Sequence, residues 1–312
     1  MLNPEARAIV ESIRSASPLP YEVGAEAARK ASDDRRAAQV REIEPIAAVE
    51  DVLVGDVPVR IYRPATGAVL PGTVFAHGGG WVICDLDSHD PLCRAIANRA
   101  RTVVVAVDYR RAPESRFPAA LDDVYAVLCW VAEHATDLGI DPARLAVAGD
   151  SAGGNLAAAA ALRARDAGGP ALAAQLLLYP VLDAGMDTDS YHRFGHGFGL
   201  EATSMAWYWD QYVPDKADRS DPLAAPARAD RLDGLPPAII ATAECDPLCD
   251  EGTAYAARLS DAWVRTYPSA FHGFLSLPPG LLAVADEALA EVTARLGQAL
   301  APPSTGSTAP LM

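Results

Sequence analysis

A serine flanked by glycines, in Gly149-Asp150-Ser151-Ala152-Gly153-Gly154-Asn155, lies between an apolar run at 145–148 and an alanine-rich run at 156–165. The first run reads as a buried parallel strand and the second as a helix. A serine on such a strand-to-helix turn is a nucleophile elbow. Small residues at Gly149 and Gly153 let the turn close, and the strained backbone at Ser151 pushes the hydroxyl out at the carboxyl end of the strand. The amide of Ala152 then sits at a helix N-terminus, where it can donate to a developing oxyanion. The chemistry this suits is attack of a hydroxyl on a carbonyl carbon.

Such a serine needs a base, and the base needs an orienting acid. In a strand–helix scaffold of this type they come after the serine in the order acid, then histidine. His272, in Phe271-His272-Gly273-Phe274, comes just after the last predicted strand. Asp246, in Glu244-Cys245-Asp246-Pro247-Leu248, comes just after the strand predicted over 238–243. Glu244 and Asp250 are the rival acids. Pro247 favours a turn that presents Asp246, whereas Asp250 has the position of a helix start. Upstream, His77-Gly78-Gly79-Gly80-Trp81 comes after another apolar strand. Its glycines let backbone amides approach a ligand, and those of Gly79 and Gly80 join Ala152 as candidate oxyanion donors. A phosphate cradle would want a Walker lysine or a dinucleotide-binding pattern, and neither is present. His77 is expected to hold the loop rather than act as the base.

These residues must be carried by strands and helices in alternation. Short apolar or β-branched runs at 73–76, 102–107, 145–148, 176–179, 238–243 and 264–267 alternate with helical patterns at 121–134, 156–165 and 281–300. That alternation predicts an α/β fold with a mostly parallel sheet and helices on both faces. A hairpin over 46–63 turns at Gly55-Asp56. The expected organisation is an N-terminal cap arm over 1–45, a core over 46–182, a cap insertion over 183–229, the rest of the core over 230–300, and a disordered Pro/Ser/Thr-rich tail over 301–312. The arm has an apolar face of Ile9, Val10 and Ile13 and is too polar to form its own core. The insertion is aromatic-rich, with one helix over 203–212 and Thr203 as its N-cap. Arm and insertion together would form one lid over the elbow.

With 312 residues the chain can bury a large core. A formal charge of −15 and the absence of any basic run exclude nucleic acid and anionic lipid as partners. The five cysteines, Cys84, Cys93, Cys129, Cys245 and Cys249, form neither a disulfide framework nor a zinc pattern. Cys245 and Cys249 have the spacing of a shared helical face. No metal and no organic cofactor are expected. No apolar run has transmembrane length and the N-terminus lacks a signal-peptide core, so no membrane association and a cytoplasmic setting are expected.

Taken together, His77–Trp81, Gly149–Asn155, Asp246-Pro247-Leu248 and His272-Gly273-Phe274 resemble the hormone-sensitive lipase family of esterases, the bacterial family IV carboxylesterases. Asp108-Tyr109-Arg110-Arg111-Ala112-Pro113-Glu114 and Leu86-Asp87-Ser88-His89-Asp90 resemble further stretches of that family. The resemblance implies an α/β-hydrolase fold with a helical cap and a triad of Ser151, Asp246 and His272. It implies an oxyanion hole from Gly79, Gly80 and Ala152, with His77, Asp150 and Glu114 as structural supports near the site. The activity implied is hydrolysis of carboxylic esters through an acyl-enzyme, with water as the second substrate; the aromatic-lined lid and the lack of a membrane-binding surface favour small, short-acyl esters among them. The same triad serves amides, carbamates and lactones, and a non-catalytic small-molecule receptor on this fold is a further alternative. A homodimer is an expectation from the resemblance alone. Two departures stand out. Cys84 replaces the family's usual glycine beside the glycine loop, and the link over 260–265 is short and lacks a glycine turn, which would strain the strand that delivers His272.

Overall fold

A computed structural model describes residues 1–16, 18–38 and 43–302. Eight strands among these residues form one sheet: β1 (Ala48–Val54), β2 (Val57–Arg63), β3 (Leu70–Ala76), β4 (Val103–Val107), β5 (Ile140–Asp150), β6 (Ala174–Leu178), β7 (Ala238–Cys245) and β8 (Ala262–Phe271). Their spatial order is β1-β2-β4-β3-β5-β6-β7-β8. β1 and β2 pair antiparallel about the Gly55-Asp56 turn, β2 pairs antiparallel with β4, and every later pairing is parallel.

β4 is apolar from end to end, and the strands beside it are mostly apolar and buried, because both faces of the sheet are covered. Alternation along each strand divides them between two cores. Val103, Val105, Val107, Val74, Val147, Leu177 and Ile240 face one core, while Val104, Ala106, Phe75, Ala148, Leu176 and Ile239 face the other. The helices, in chain order, are α1 (Pro4–Ala16), α2 (Pro20–Val23), α3 (Ala25–Ala38), α4 (Leu86–Ala100), α5 (Ala119–Glu133), α6 (Ala152–Ala167), α7 (Asp189–Phe194), α8 (Ala202–Tyr212), α9 (Cys249–Arg258) and α10 (Ala283–Ala299). α5, α6 and α9 cover the first core; α4, α10 and the buried face of α1 cover the second.

The α/β alternation is present as expected, and several local expectations are corrected. α4 is absent from the sequence-based assignment because Pro91 interrupts its pattern. Its start is secured by a reciprocal cap, with Ser88 N donating to Asp85 Oδ1 at 2.8 Å and Asp85 N to Ser88 Oγ at 2.9 Å. Thr203 is not the N-cap of α8. The helix starts at Ala202, with Glu201 in the cap position and its carboxylate occupied by His196 Nδ1 and the amide of Gly197. Cys245 and Cys249 share no helical face, since one ends β7 and the other begins α9. The short link between α9 and β8 contains no residue of positive φ; the left-handed residue of this region is Ser269, inside β8. From residue 303 onward the expected tail lies outside the described residues. Among the described residues, no helix is long and apolar enough to cross a membrane.

The polar arm is anchored rather than self-supporting. Ala6 and Val10 are buried against the second core, while Ile13 stays partly exposed. Arg29 of α3 donates to Val82 O and Ala112 O, each at 2.7 Å, and grips Glu114 with both terminal nitrogens at 2.9 and 2.6 Å.

At the root of the insertion, the buried Glu251 carboxylate accepts from Leu182 N at 2.7 Å and Asp183 N at 2.9 Å. Burial pushes its pKa from 4.5 up to about 8, against the pull of those amides. The folded chain therefore keeps a proton that the unfolded chain releases above 4.5. Its stabilising contribution is complete below that value and is lost as pH rises to about 8. Glu251→Gln should remove this slope. Urea midpoints at about pH 5 and pH 8 should converge in the variant, and parallel pH dependences for the two proteins would refute the assignment.

Candidate active site

Ser151 is the first residue after β5, at φ 54° and ψ −119°. A non-glycine residue at such angles costs about 1–3 kcal/mol and persists only where its surroundings enforce it. The enforcement comes from both sides of the turn. Ser151 N donates to Leu178 O at 2.8 Å, and Val181 N donates to Ser151 O at 3.2 Å. Backbones come so close here that a Cβ on Gly153 would lie inside the contact shell of Ala76 O and His77 O, and one on Gly149 inside that of Gly153 O.

Asp246 is the first residue after β7 and His272 the first after β8, and Cys245 and Phe271 are paired in register. The parallel sheet thus delivers Ser151, Asp246 and His272 to one edge. His272 Nδ1 lies 2.8 Å from Asp246 Oδ2, and His272 Nε2 lies 2.9 Å from Ser151 Oγ. With Nδ1 protonated toward the carboxylate, Nε2 is left as acceptor for the serine proton. Asp246 is fully buried, and its second oxygen accepts from Leu248 N at 3.0 Å. The rival acids point elsewhere: Glu244 accepts from Ser269 N at 2.9 Å and Asp250 from Ser190 N at 2.8 Å.

The glycine loop runs beside the elbow. Gly79 and Gly80 adopt φ 114° and 58°, and at Gly80 a Cβ would collide with the Tyr208 ring of α8. Trp81 stacks on Tyr212 at 4.4 Å, so α8 packs down on the loop. Among the described residues no backbone carbonyl takes the amides of Gly79, Gly80 or Ala152. Three donors near Ser151 are therefore left without a protein partner, the Ala152 amide at the N-terminus of α6.

The supports sit one layer below. Asp150 Oδ1 accepts from Gly78 N at 2.8 Å and lies 3.1 Å from His89 Nε2. Burial alone would raise this carboxyl, but His89 and the Gly78 amide outweigh it and hold the pKa below the usual value. His77 lies inside the protein, where burial lowers its pKa to about 3. Its neutral ring donates through Nδ1 to Gly78 O at 2.7 Å and stacks on Tyr109, whose hydroxyl donates to His77 O at 2.8 Å. Glu114 is exposed and held at about 2 by Arg29; it ties the arm to the core rather than touching the Ser151 line. Sequence reasoning assigns no role to His89 or Tyr109, because a lone buried histidine or tyrosine looks like core. Cys84 has φ 70°, a conformation that favours glycine at this position.

A cavity of about 270 Å³ opens onto His272 between arm and insertion, walled in part by Val10, Ile13, Leu200, Tyr208 and Phe271. A larger groove of about 550 Å³ at the far end of α6, between Arg163 and Asp230, touches none of the residues above. No cluster of three or more His, Cys, Asp or Glu suited to a metal is found among the described residues.

A family model for the alpha/beta hydrolase fold matches residues 73–276, more than half of the chain. The chain belongs to the α/β-hydrolase family. Among curated relatives, this hydrolase is 47% identical over 233 residues to the carboxylic ester hydrolase LipN of Mycobacterium tuberculosis, covering 72% of this chain and 62% of LipN. It is 42% identical over 256 residues to an ethyl acetate hydrolase of Pseudomonas putida, covering 78% of this chain and 79% of that one. Among solved structures, a thermostable esterase from Pseudomonas putida ECU1011 superposes with a TM-score of 0.90 at 35% identity, covering 96% of this chain and 98% of that one.

The elbow geometry makes the hydrolase intolerant of one added methyl group. Gly153→Ala should cost about 3 kcal/mol or more, because the obstacle is backbone and cannot rotate away. Loss of soluble protein or a large drop in urea midpoint is expected; a variant as stable as wild type would contradict the close approach.

Proposed function

We propose that this hydrolase is a serine carboxylesterase that cleaves small, short-acyl esters through an acyl-enzyme on Ser151. The hydrogen-bonded line from Asp246 through His272 to Ser151 carries the reading. Relatives at 42–47% identity named as ester hydrolases supply the reaction class. Ser151 Oγ attacks the ester carbonyl while its proton passes to His272 Nε2. The carbonyl oxygen becomes an oxyanion facing the amides of Gly79, Gly80 and Ala152, and each such donor is worth about 3–4 kcal/mol of barrier. The tetrahedral species collapses, and the alcohol leaves with the proton held by His272. Water then gives a proton to His272 and attacks the acyl carbonyl, which releases the acid and restores Ser151. Asp246 fixes the imidazole tautomer and stabilises the imidazolium.

The cavity beside His272 supports the short-acyl preference. At about 270 Å³ it lies just below the ~300–1,000 Å³ typical of sites for drug-sized ligands. Arm 1–45 and insertion 183–229 serve as one lid, since both wall this cavity. Five unpaired cysteines fit a reducing, cytoplasmic setting.

Ser151→Ala, assayed on a short-chain nitrophenyl ester, should lower kcat by about 10⁴-fold or more with an unchanged thermal midpoint. Retention of most activity would remove Ser151 from the mechanism. Rates across an acyl series should peak at short chains; a maximum on long-chain emulsions would overturn the size argument.

A further inference from the structure

The wall of the cavity beside His272 has the opposite charge from the rest of the molecule. The chain has 41 acidic against 26 basic residues, yet the charged side chains lining this cavity are Arg14 and Arg35, with no Asp or Glu among them. Arg14 is already paired with buried Glu201, at 3.4 Å. Arg35 is not: among the described residues it has no carboxylate within ion-pair distance and no hydrogen bond. Its neighbours on α3 show how unusual that is, since Arg29 grips Glu114 and Arg36 reaches Asp85 at 2.7 Å. A half-buried guanidinium has surrendered part of its hydration, and a bound anion would offset that loss. Burial pushes up the Tyr208 phenol and the Cys84 thiol, and the charge of Arg35 opposes both shifts. Arg35 lines the cavity together with Tyr208, the ring that covers Gly80. The hydroxyl-bearing Ser32 and Ser204 line the same cavity and offer further donors.

We propose that the substrates of this hydrolase include esters bearing a free carboxylate, and that Arg35 is the residue that selects for it. The inference rests on the esterase reading above and assigns the substrate class of the same site. Two sources supply this chemistry: the monoester of a short dicarboxylic acid, with the charge on the acyl side, and the acetyl ester of a short hydroxy acid, with the charge on the alcohol side. A planar guanidinium binds a carboxylate through two parallel hydrogen bonds, which an ammonium cannot reproduce.

The test compares kcat/KM for monoethyl succinate and for acetyl glycolate with that for a neutral ester of matched size, diethyl succinate or methyl acetoxyacetate. In wild type at least one anionic ester should be preferred, and whichever pair shows the preference identifies the side that carries the charge. Arg35→Met should lower the anionic-to-neutral ratio about 10- to 100-fold, mainly through KM, and Arg35→Lys should restore part of it. Should Arg35→Met not fold, wild type alone decides by inhibition of neutral-ester turnover: succinate should compete at least about tenfold better than succinamide. An unchanged ratio in Arg35→Met, or equal inhibition by the two compounds, overturns the proposal. The nucleophile assignment of the parent reading is scored separately, by whether neutral-ester turnover survives Ser151→Ala.

Discussion

Two stretches of backbone pass within van der Waals contact where β5 turns into α6, and the rest of the site depends on that approach. Gly149 and Gly153 admit the carbonyls of Ala76 and His77 because neither carries a Cβ. β3 is the sheet neighbour of β5, so the chain leaving β3 must run beside the chain leaving β5. The glycine loop and the elbow are therefore brought together by strand pairing before any side chain contributes. Buried polar contacts then fix their separation: Asp150, the residue before Ser151, accepts the amide of Gly78.

The other side of the site has to span more of the sheet. β6 lies between β5 and β7, and β8 lies one strand farther out, while neighbouring strands are about 4.8 Å apart. A flat β8 would leave its last residue well away from Ser151. Between the paired positions Ala243–Tyr267 and Cys245–Phe271, β8 advances four residues against two on β7. Bulges of this kind bend a strand and re-aim the residues beyond the bend. Ser269 sits inside the irregularity at φ 58°, with its amide held by Glu244. Glu244 thus acts as a strut for the bend that carries His272, a different task from orienting an imidazole.

Much of this was legible in the sequence because it is repetitive or local. Valine-rich runs such as 103–107 can hardly be anything but central strands, and a motif immediately after such a run must lie at the sheet edge. Ser151, Asp246 and His272 stand out on that ground, and they lie within hydrogen-bond reach across 121 residues of chain. The features that were not legible depend on register and environment. The bulge at Ser269 appears only when two strands are paired. His89 and Tyr109 become distinctive only once they are seen under Gly78 and His77. Pro91 hides α4, and Thr203 loses its expected place at the head of α8 to Glu201. Cys84 carries a left-handed backbone that favours glycine, and the left-handed residue of the strand that delivers His272 is Ser269, beyond the 260–265 link.

α6 is encased by its surroundings. Five consecutive alanines, Ala157 through Ala161, are all buried, so every side of the helix is in contact with something. Alanine has no rotamers to rearrange, and a helix so enclosed has neither a face along which to slide nor spare volume into which to settle. The mount beneath the Ser151 hydroxyl is accordingly boxed in, and a larger side chain at any of these five positions would meet packed neighbours. The arm and the insertion are less tightly held, and the side chains with which they wall the cavity beside His272 are largely half-buried or exposed.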